Sequence, residues 1–150
     1  LSDMPEKQRN IIVDQELPGY KNTPCVNGPP LSKRRISIIT TAGLHKRGDK
    51  IFTPGVGEYR IIPNDININD LIMSHVSTNF DRTGFYQDLN VMLPIDRPNE
   101  LQTAGKVGEV AEYHYAFMGA TLPMAQETVS KDLAKVLIAD GVNGVILAGV

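Results

Sequence analysis

The chain has little that would commit it to a membrane, a disulfide scaffold or a polyanion. No apolar stretch approaches the roughly 18 to 20 residues needed to span a bilayer. The opening residues LSDMPEKQRN hold no signal-peptide hydrophobic core. Both absences point to a cytoplasmic protein with no membrane partner. There is one cysteine, Cys25, which excludes an internal disulfide and agrees with a reducing compartment. Its setting, Thr23-Pro24-Cys25-Val26-Asn27-Gly28-Pro29-Pro30, offers no histidine or cationic neighbour and reads as an ordinary loop cysteine, not a nucleophile. An excess of charge is missing too: 15 basic residues face 17 acidic ones, for a net charge of −2. That balance gives no electrostatic reason to expect nucleic acid as a partner. The one charge run, Lys33-Arg34-Arg35, directly precedes an apolar segment and reads as the solvated start of a strand.

Chemical motifs with fixed spacing are equally scarce. His45, His75 and His114, with Asp65, Asp70, Asp81 and Asp96, supply metal-ligand types, but no HxH, HExxH or CxxC spacing organises them. No metal is expected. The glycines at 43, 48, 55 and 57 make neither a GxGxxG nor a Walker pattern after a strand, so nucleotide binding lacks support.

What is present is the making of one core. A chain of 150 residues with 41% hydrophobic content buries roughly 68–70% of its unfolded surface on folding. Residues 1–33 hold five of the ten prolines and little periodicity, and are expected to form an extended arm on the body or on a partner. Residues 34–150 are expected to form an α/β domain. In it, Ile36-Ser37-Ile38-Ile39-Thr40-Thr41 predicts a strand ending at the Ala42-Gly43 turn. Tyr59-Arg60-Ile61-Ile62 predicts a second, stopped by Pro63-Asn64-Asp65.

One long helix is predicted from Pro123 to Ala139. Val129, Leu133, Val136 and Leu137 fall on one stripe, Thr121 is the expected N-cap, and Asp140-Gly141 supplies the stop. A shorter helix over 96–104 is compatible with Pro98 only as a first-turn residue. After the long helix comes Gly144-Val145-Ile146-Leu147-Ala148-Gly149-Val150, a continuous apolar run that reads as a buried strand of a parallel sheet. Such strands deliver ligand-binding loops at their carboxyl ends. The fold expected is therefore a mainly parallel α/β sheet with flanking helices, three-layered and Rossmann-like.

The densest polar stretch is Ser74–Gly84, SHVSTNFDRTG, set between the apolar runs Leu71-Ile72-Met73 and Val91-Met92-Leu93. It reads as a site loop. The same residue types also build turns rich in side-chain to backbone hydrogen bonds, and composition does not separate the two.

These residues carry a family resemblance. The run SHVSTNFDRTGFYQDLNVMLPIDR (Ser74–Arg97), the segment EYHYAFMGAT (Glu112–Thr121), and the helix followed by VILAGV resemble the selenoprotein B family of glycine, sarcosine, betaine and D-proline reductases. The TTAGLH and NFDRTG segments belong to the same resemblance, and HKRGD (His45–Asp49) is most similar to the D-proline-cleaving members. The resemblance implies an oxidoreductase subunit whose redox residue is selenocysteine, or cysteine in some members, placed shortly after the strand that here ends at Val150. It implies a pyruvoyl group on a partner subunit to activate a small amino-acid substrate, and a thiol or protein electron donor. The expectation that follows is a selenocysteine directly beyond Val150, because a UGA codon read as stop would release a chain ending there; the chain as given would then be inactive.

On that resemblance Arg82 is the candidate for the substrate carboxylate, which a guanidinium fork matches bidentately; its structural alternative is a pair with Asp81 or Asp88. His75 and His45 are candidates for proton delivery to the departing nitrogen or for stabilising the selenolate. Thr40 and Thr41 would line the crevice at the strands' carboxyl ends, or simply reflect strand propensity. Asn79, Ser77 and Asp81 would orient ligand or loop. A second class of reading stays open: a non-catalytic ligand-binding or assembly module of an oligomer in which the polar loop is a subunit contact; the proline-rich arm and Tyr113–Met118 would suit an interface in either case.

Overall fold

In the computed structural model, which describes residues 2–15, 19, 26–77 and 81–150, the β-branched run Arg35–Thr40 becomes the organising strand. The elements follow one another as α1 (Glu6–Val13), β1 (Arg35–Thr40), β2 (Leu44–Lys46), β3 (Arg60–Pro63), β4 (Leu71–Met73), α2 (Thr83–Gln87), α3 (Asp96–Thr103), β5 (Glu109–Val110), β6 (Tyr113–Ala116), α4 (Pro123–Ala139) and β7 (Gly144–Ala148). β1 pairs in parallel with β5 and β6 along one flank and with β7 along the other. β3 adds to the outer side of β6 in antiparallel sense, and β2 and β4 form a separate antiparallel ribbon. The result is a mixed, mostly parallel five-stranded sheet.

Alternation along the strands separates two faces. Ile38, Ala116 and Ile146 point into a core with Leu44, Leu71, Leu89, Met92, Leu93 and Ile95. Ile39, Tyr115 and Phe117 face α4 through Leu133 and Leu137. Among the described residues the first face is covered by the ribbon and by short turns, without a regular row of crossover helices, so the α/β class holds and the Rossmann-like layering is not shown. Between β1 and α3 the longest helix among the described residues is α2, five residues long and too short to span the sheet as a crossover helix.

Other expectations need correction. Within residues 1–33, of which 1, 16–18 and 20–25 lie outside the described residues, α1 starts directly after Pro5 with Glu6 in its first turn. Thr121 does not cap α4: its hydroxyl donates to Val56 O (3.0 Å) and Leu122 takes the N-cap position without a side-chain bond. Val136 leaves the buried stripe and is 46% exposed. Gly141, at φ +73°, ends the helix as a left-handed C′ residue should. β7 runs parallel to β1 as expected but lies at the sheet edge, with Val145 and Leu147 exposed instead of buried. Tyr113–Met118 is not a free surface, since His114 through Met118 are all buried within the chain. The Lys33-Arg34-Arg35 run is tied down as well as solvated: Arg34 Nε donates to Pro29 O (2.8 Å), and Arg35 pairs with Glu109 and with Asp140.

The break between β5 and β6 is filled by side chains. Three residue steps on β1, Ile36 to Ile39, face five on the partner, Val110 to Tyr115, the geometry of a bulge. Ser37 Oγ donates to Tyr113 O (2.9 Å), and Ile38 N–H donates to His114 Nδ1 (3.2 Å), so two side chains replace the lost ladder bonds.

Candidate active site

Because β1, β6 and β7 are parallel, their carboxyl ends meet on one crest of the sheet, where open α/β sheets place their ligands. Thr41 sits at its centre. Its N–H donates to Ala148 O (3.1 Å), its carbonyl accepts from Gly119 N (2.8 Å), and its hydroxyl accepts from Val150 N (2.9 Å). Thr40 turns inward, fully buried, with Oγ1 accepting the Ala42 N–H (3.2 Å).

Gly43 brings the polar loop to this crest. At φ +65° it turns the chain after Ala42, and a Cβ there would lie 2.9 Å from Met118 Cε and 3.1 Å from His75 Cα. Only glycine lets the loop lie this close. Ser74 N–H donates to Gly43 O (3.0 Å), and Val76 N–H approaches Met118 Sδ at 3.5 Å. Met118 and Gly119 therefore join Thr41 to the loop, and neither is singled out by the sequence as a site residue; the glycines at 43 and 119 are the local signals it carries.

Within the loop, Arg82 Nη2 donates to His75 O (2.7 Å) and Ser77 O (3.2 Å), clamping the backbone from inside. His75 is buried, and its Nδ1 accepts the Ser77 N–H (3.2 Å), so the neutral ring carries its proton on Nε2. Burial, and secondarily the Arg82 charge, hold the His75 imidazole below its ordinary pKa. The residue delivered here is thus a neutral histidine beside a fixed cation. Asp81 is spent on a turn: its carboxylate accepts the Thr83 N–H (2.9 Å), which keeps it below the usual carboxylate range. Asp88 does the same for Asn90 N–H (2.9 Å).

The structure therefore brings His75, Ser77 and Arg82 together, connects Thr41 to them through Gly43, Met118 and Gly119, and sets Thr40 and Asp81 into supporting bonds. It places His45 elsewhere, on β2, buried, with Nδ1 bonded to Lys46 O (2.9 Å) and the ring edge-on to Phe52. Asn79 and Cys25 lie outside the described residues. Beside Thr41 a hollow of about 300 Å³ opens between α4 and the β1/β7 edge, lined by Ile39, Phe117, Gln126, Leu133 and Leu147. Among the described residues, no three His, Cys, Asp or Glu side chains gather to hold a metal ion, and no helix is long and apolar enough to cross a membrane.

Comparison with known proteins agrees with the resemblance. Residues 14–150 match the family model of glycine/sarcosine/betaine reductase selenoprotein B. The D-proline reductase subunit gamma of Acetoanaerobium sticklandii is 31% identical over 120 residues, covering 78% of this chain and 49% of that protein. The glycine reductase complex component B subunit gamma of Carboxydothermus hydrogenoformans is 28% identical, covering 94% of this chain and 34% of that protein. The sarcosine reductase complex component B subunit beta of Peptoclostridium acidaminophilum is 27% identical, covering 78% and 28% respectively. The chain spans about half or less of the length of these relatives. No solved structure matches it. With the family model covering nearly the whole chain, including the crest and the loop that Arg82 clamps, the chain belongs to the glycine/sarcosine/betaine reductase selenoprotein B family.

Proposed function

We propose that this chain is part of the redox subunit of an amino-acid reductase that cleaves a carbon–nitrogen bond beside a carboxylate, with D-proline as substrate and 5-aminovalerate as product. The observation that carries the reading is the family match over residues 14–150, which includes every residue of the crest. The 31% identity to a D-proline reductase subunit, together with the HKRGD run, favours D-proline over glycine, sarcosine or betaine.

In the balanced reaction the ring Cα–N bond breaks, two electrons come from a dithiol that becomes a disulfide, and the product gains one hydrogen at Cα and one at nitrogen. On this reading a selenocysteine, or cysteine, stands directly beyond Val150 and supplies a soft nucleophile that is ionised at neutral pH. The crest suits such a residue: Val150 N–H is anchored on Thr41, and the Arg82 guanidinium provides positive charge within the same loop as His75. Substrate activation falls to a pyruvoyl carbonyl on a partner subunit, which supplies an electrophile for the amine. For this chain's own residues we assign Arg82 to the substrate carboxylate, the neutral His75 to hydrogen-bond donation from its Nε2–H toward the departing nitrogen, and Ser77 and Asn79 to the loop that orients the ligand. Asp81 holds the start of α2, and Thr40 the turn behind the crest. His45, on β2 and packed against Phe52, is assigned a structural role.

The test has two steps. Sequencing the gene beyond the Val150 codon is expected to give UGA or a cysteine codon followed by an open frame. The extended protein, combined with its pyruvoyl partner and a dithiol, is expected to convert D-proline to 5-aminovalerate. Any other sense codon there, or no cleavage of D-proline, glycine, sarcosine or betaine, overturns the reading in favour of a binding or assembly module.

A further inference from the structure

Thr41 breaks the rule of the ladder it ends. In a regular strand the N–H and C=O of one residue point to the same neighbour. Here the N–H of Thr41 goes to β7, at Ala148 O, while its C=O goes to the other flank, at Gly119 N. The β1/β7 register, Thr40 opposite Ala148, would next pair Val150 N–H with the carbonyl of Thr41. That carbonyl is already occupied, and the Thr41 hydroxyl takes its place at 2.9 Å. A side chain thus extends the ladder one bond beyond the point where the backbone of β1 turns away. Gly119 confines that side chain: a Cβ on Gly119 would lie 3.0 Å from Thr41 O, 3.1 Å from its Cβ and 3.2 Å from its Oγ1.

We infer that Thr41 is a positioning residue, whose hydroxyl fixes the backbone of Val150 and thereby aims the residue that follows it at the crest beside His75 and Arg82. The inference rests on the reading that a redox residue follows Val150. It differs from a substrate contact: the hydroxyl is spent on the backbone, so its loss alters where the nucleophile stands and not how the amino acid is held.

The experiment compares Thr41→Val, Thr41→Ser and Gly119→Ala in the full gene product with its partner subunit. Thr41→Val keeps the shape and removes the acceptor. It is expected to lower kcat by about 10- to 100-fold, the scale of a small misplacement of a reacting group, with KM for D-proline changed less than about twofold because the substrate contacts remain. The pH profile for alkylation of the redox residue by iodoacetamide is expected to move with it. Thr41→Ser is expected to restore both, and Gly119→Ala to resemble Thr41→Val. Wild-type kcat and alkylation profile in Thr41→Val, or a Thr41→Ser variant as impaired as Thr41→Val, overturns the inference. Hydrogen exchange separates this from a failure of the functional reading. Thr41→Val is expected to speed exchange of the Val150 amide at least about tenfold and Thr41→Ser to leave it slow, whatever residue follows; unchanged exchange in Thr41→Val also overturns the inference.

Discussion

At Ile38 the β1 backbone donates to a ring nitrogen, His114 Nδ1, so that imidazole must stay unprotonated for the bulge to remain closed. Its Nε2 meets Asn64 Oδ1 (3.1 Å), and Asn64 in turn exchanges hydrogen bonds with Asn99. Burial pushes the His114 pKa down to about 4 from an ordinary 6.5. Between those values the unfolded chain binds the proton that the folded one refuses. Stability therefore rises with pH across the window and is lost as pH falls from 6.5 to 4, by about 3 kcal/mol from this one group. Urea midpoints at pH 4.5 and pH 7.5 are expected to show the fall in the wild type, and His114→Gln is expected to be weaker at pH 7.5 but flatter between the two. Little of this was legible beforehand. In the sequence His114 reads as a metal-ligand type, as part of the Glu112–Thr121 resemblance and as part of an interface, because a bulge that needs a ring acceptor leaves no spacing signature. The polar loop was legible as a concentration of groups, yet the carbonyl oxygens that Arg82 clamps belong to the backbone and are invisible in a list of side chains.

Among the elements, α4 was readable to its ends because a 3.6-residue period over 17 residues accumulates signal, whereas β2, β4, β5 and β6 are each two to four residues long and are defined by partners far along the chain. The stripe was drawn one residue too wide, and the difference is measurable. Leu133, 2% exposed, packs under the helix against the sheet, while Val136 faces solvent. Leu133→Ala is expected to cost about 2–5 kcal/mol and Leu133→Asp to abolish folding, whereas Val136→Ala is expected to stay within about 0.5 kcal/mol apart from helix propensity. Denaturant unfolding followed by far-UV circular dichroism distinguishes them. The start of the helix is held by an approach that a periodicity plot does not contain: a Cβ on Gly57 would collide with Ala125 O, so the 53–58 loop and the first turn of α4 touch backbone to backbone.

For the molecule as a whole, the main sheet has one strongly apolar border. β7 offers Leu147, 76% exposed, and Val145 on the face that α4 only partly covers. Edge strands of this composition template association with other chains. The chain studied alone is expected to scatter light increasingly with concentration, and Leu147→Lys to suppress that scattering without lowering the unfolding midpoint; equal scattering by the two proteins would place the sticky surface elsewhere. The wholly non-local pairing of β1 has a further consequence, during synthesis. Its first ladder partner, Glu109, is 74 residues downstream of Arg35, and Thr41 waits 109 residues for Val150. At ordinary elongation rates of about 5–20 residues per second, β1 leaves the ribosome roughly 4 to 15 seconds before anything can pair with it. RISIIT is an apolar strand with both edges open throughout that delay, so the nascent chain is expected to need chaperone cover there, and the crest cannot form until Val150 has followed.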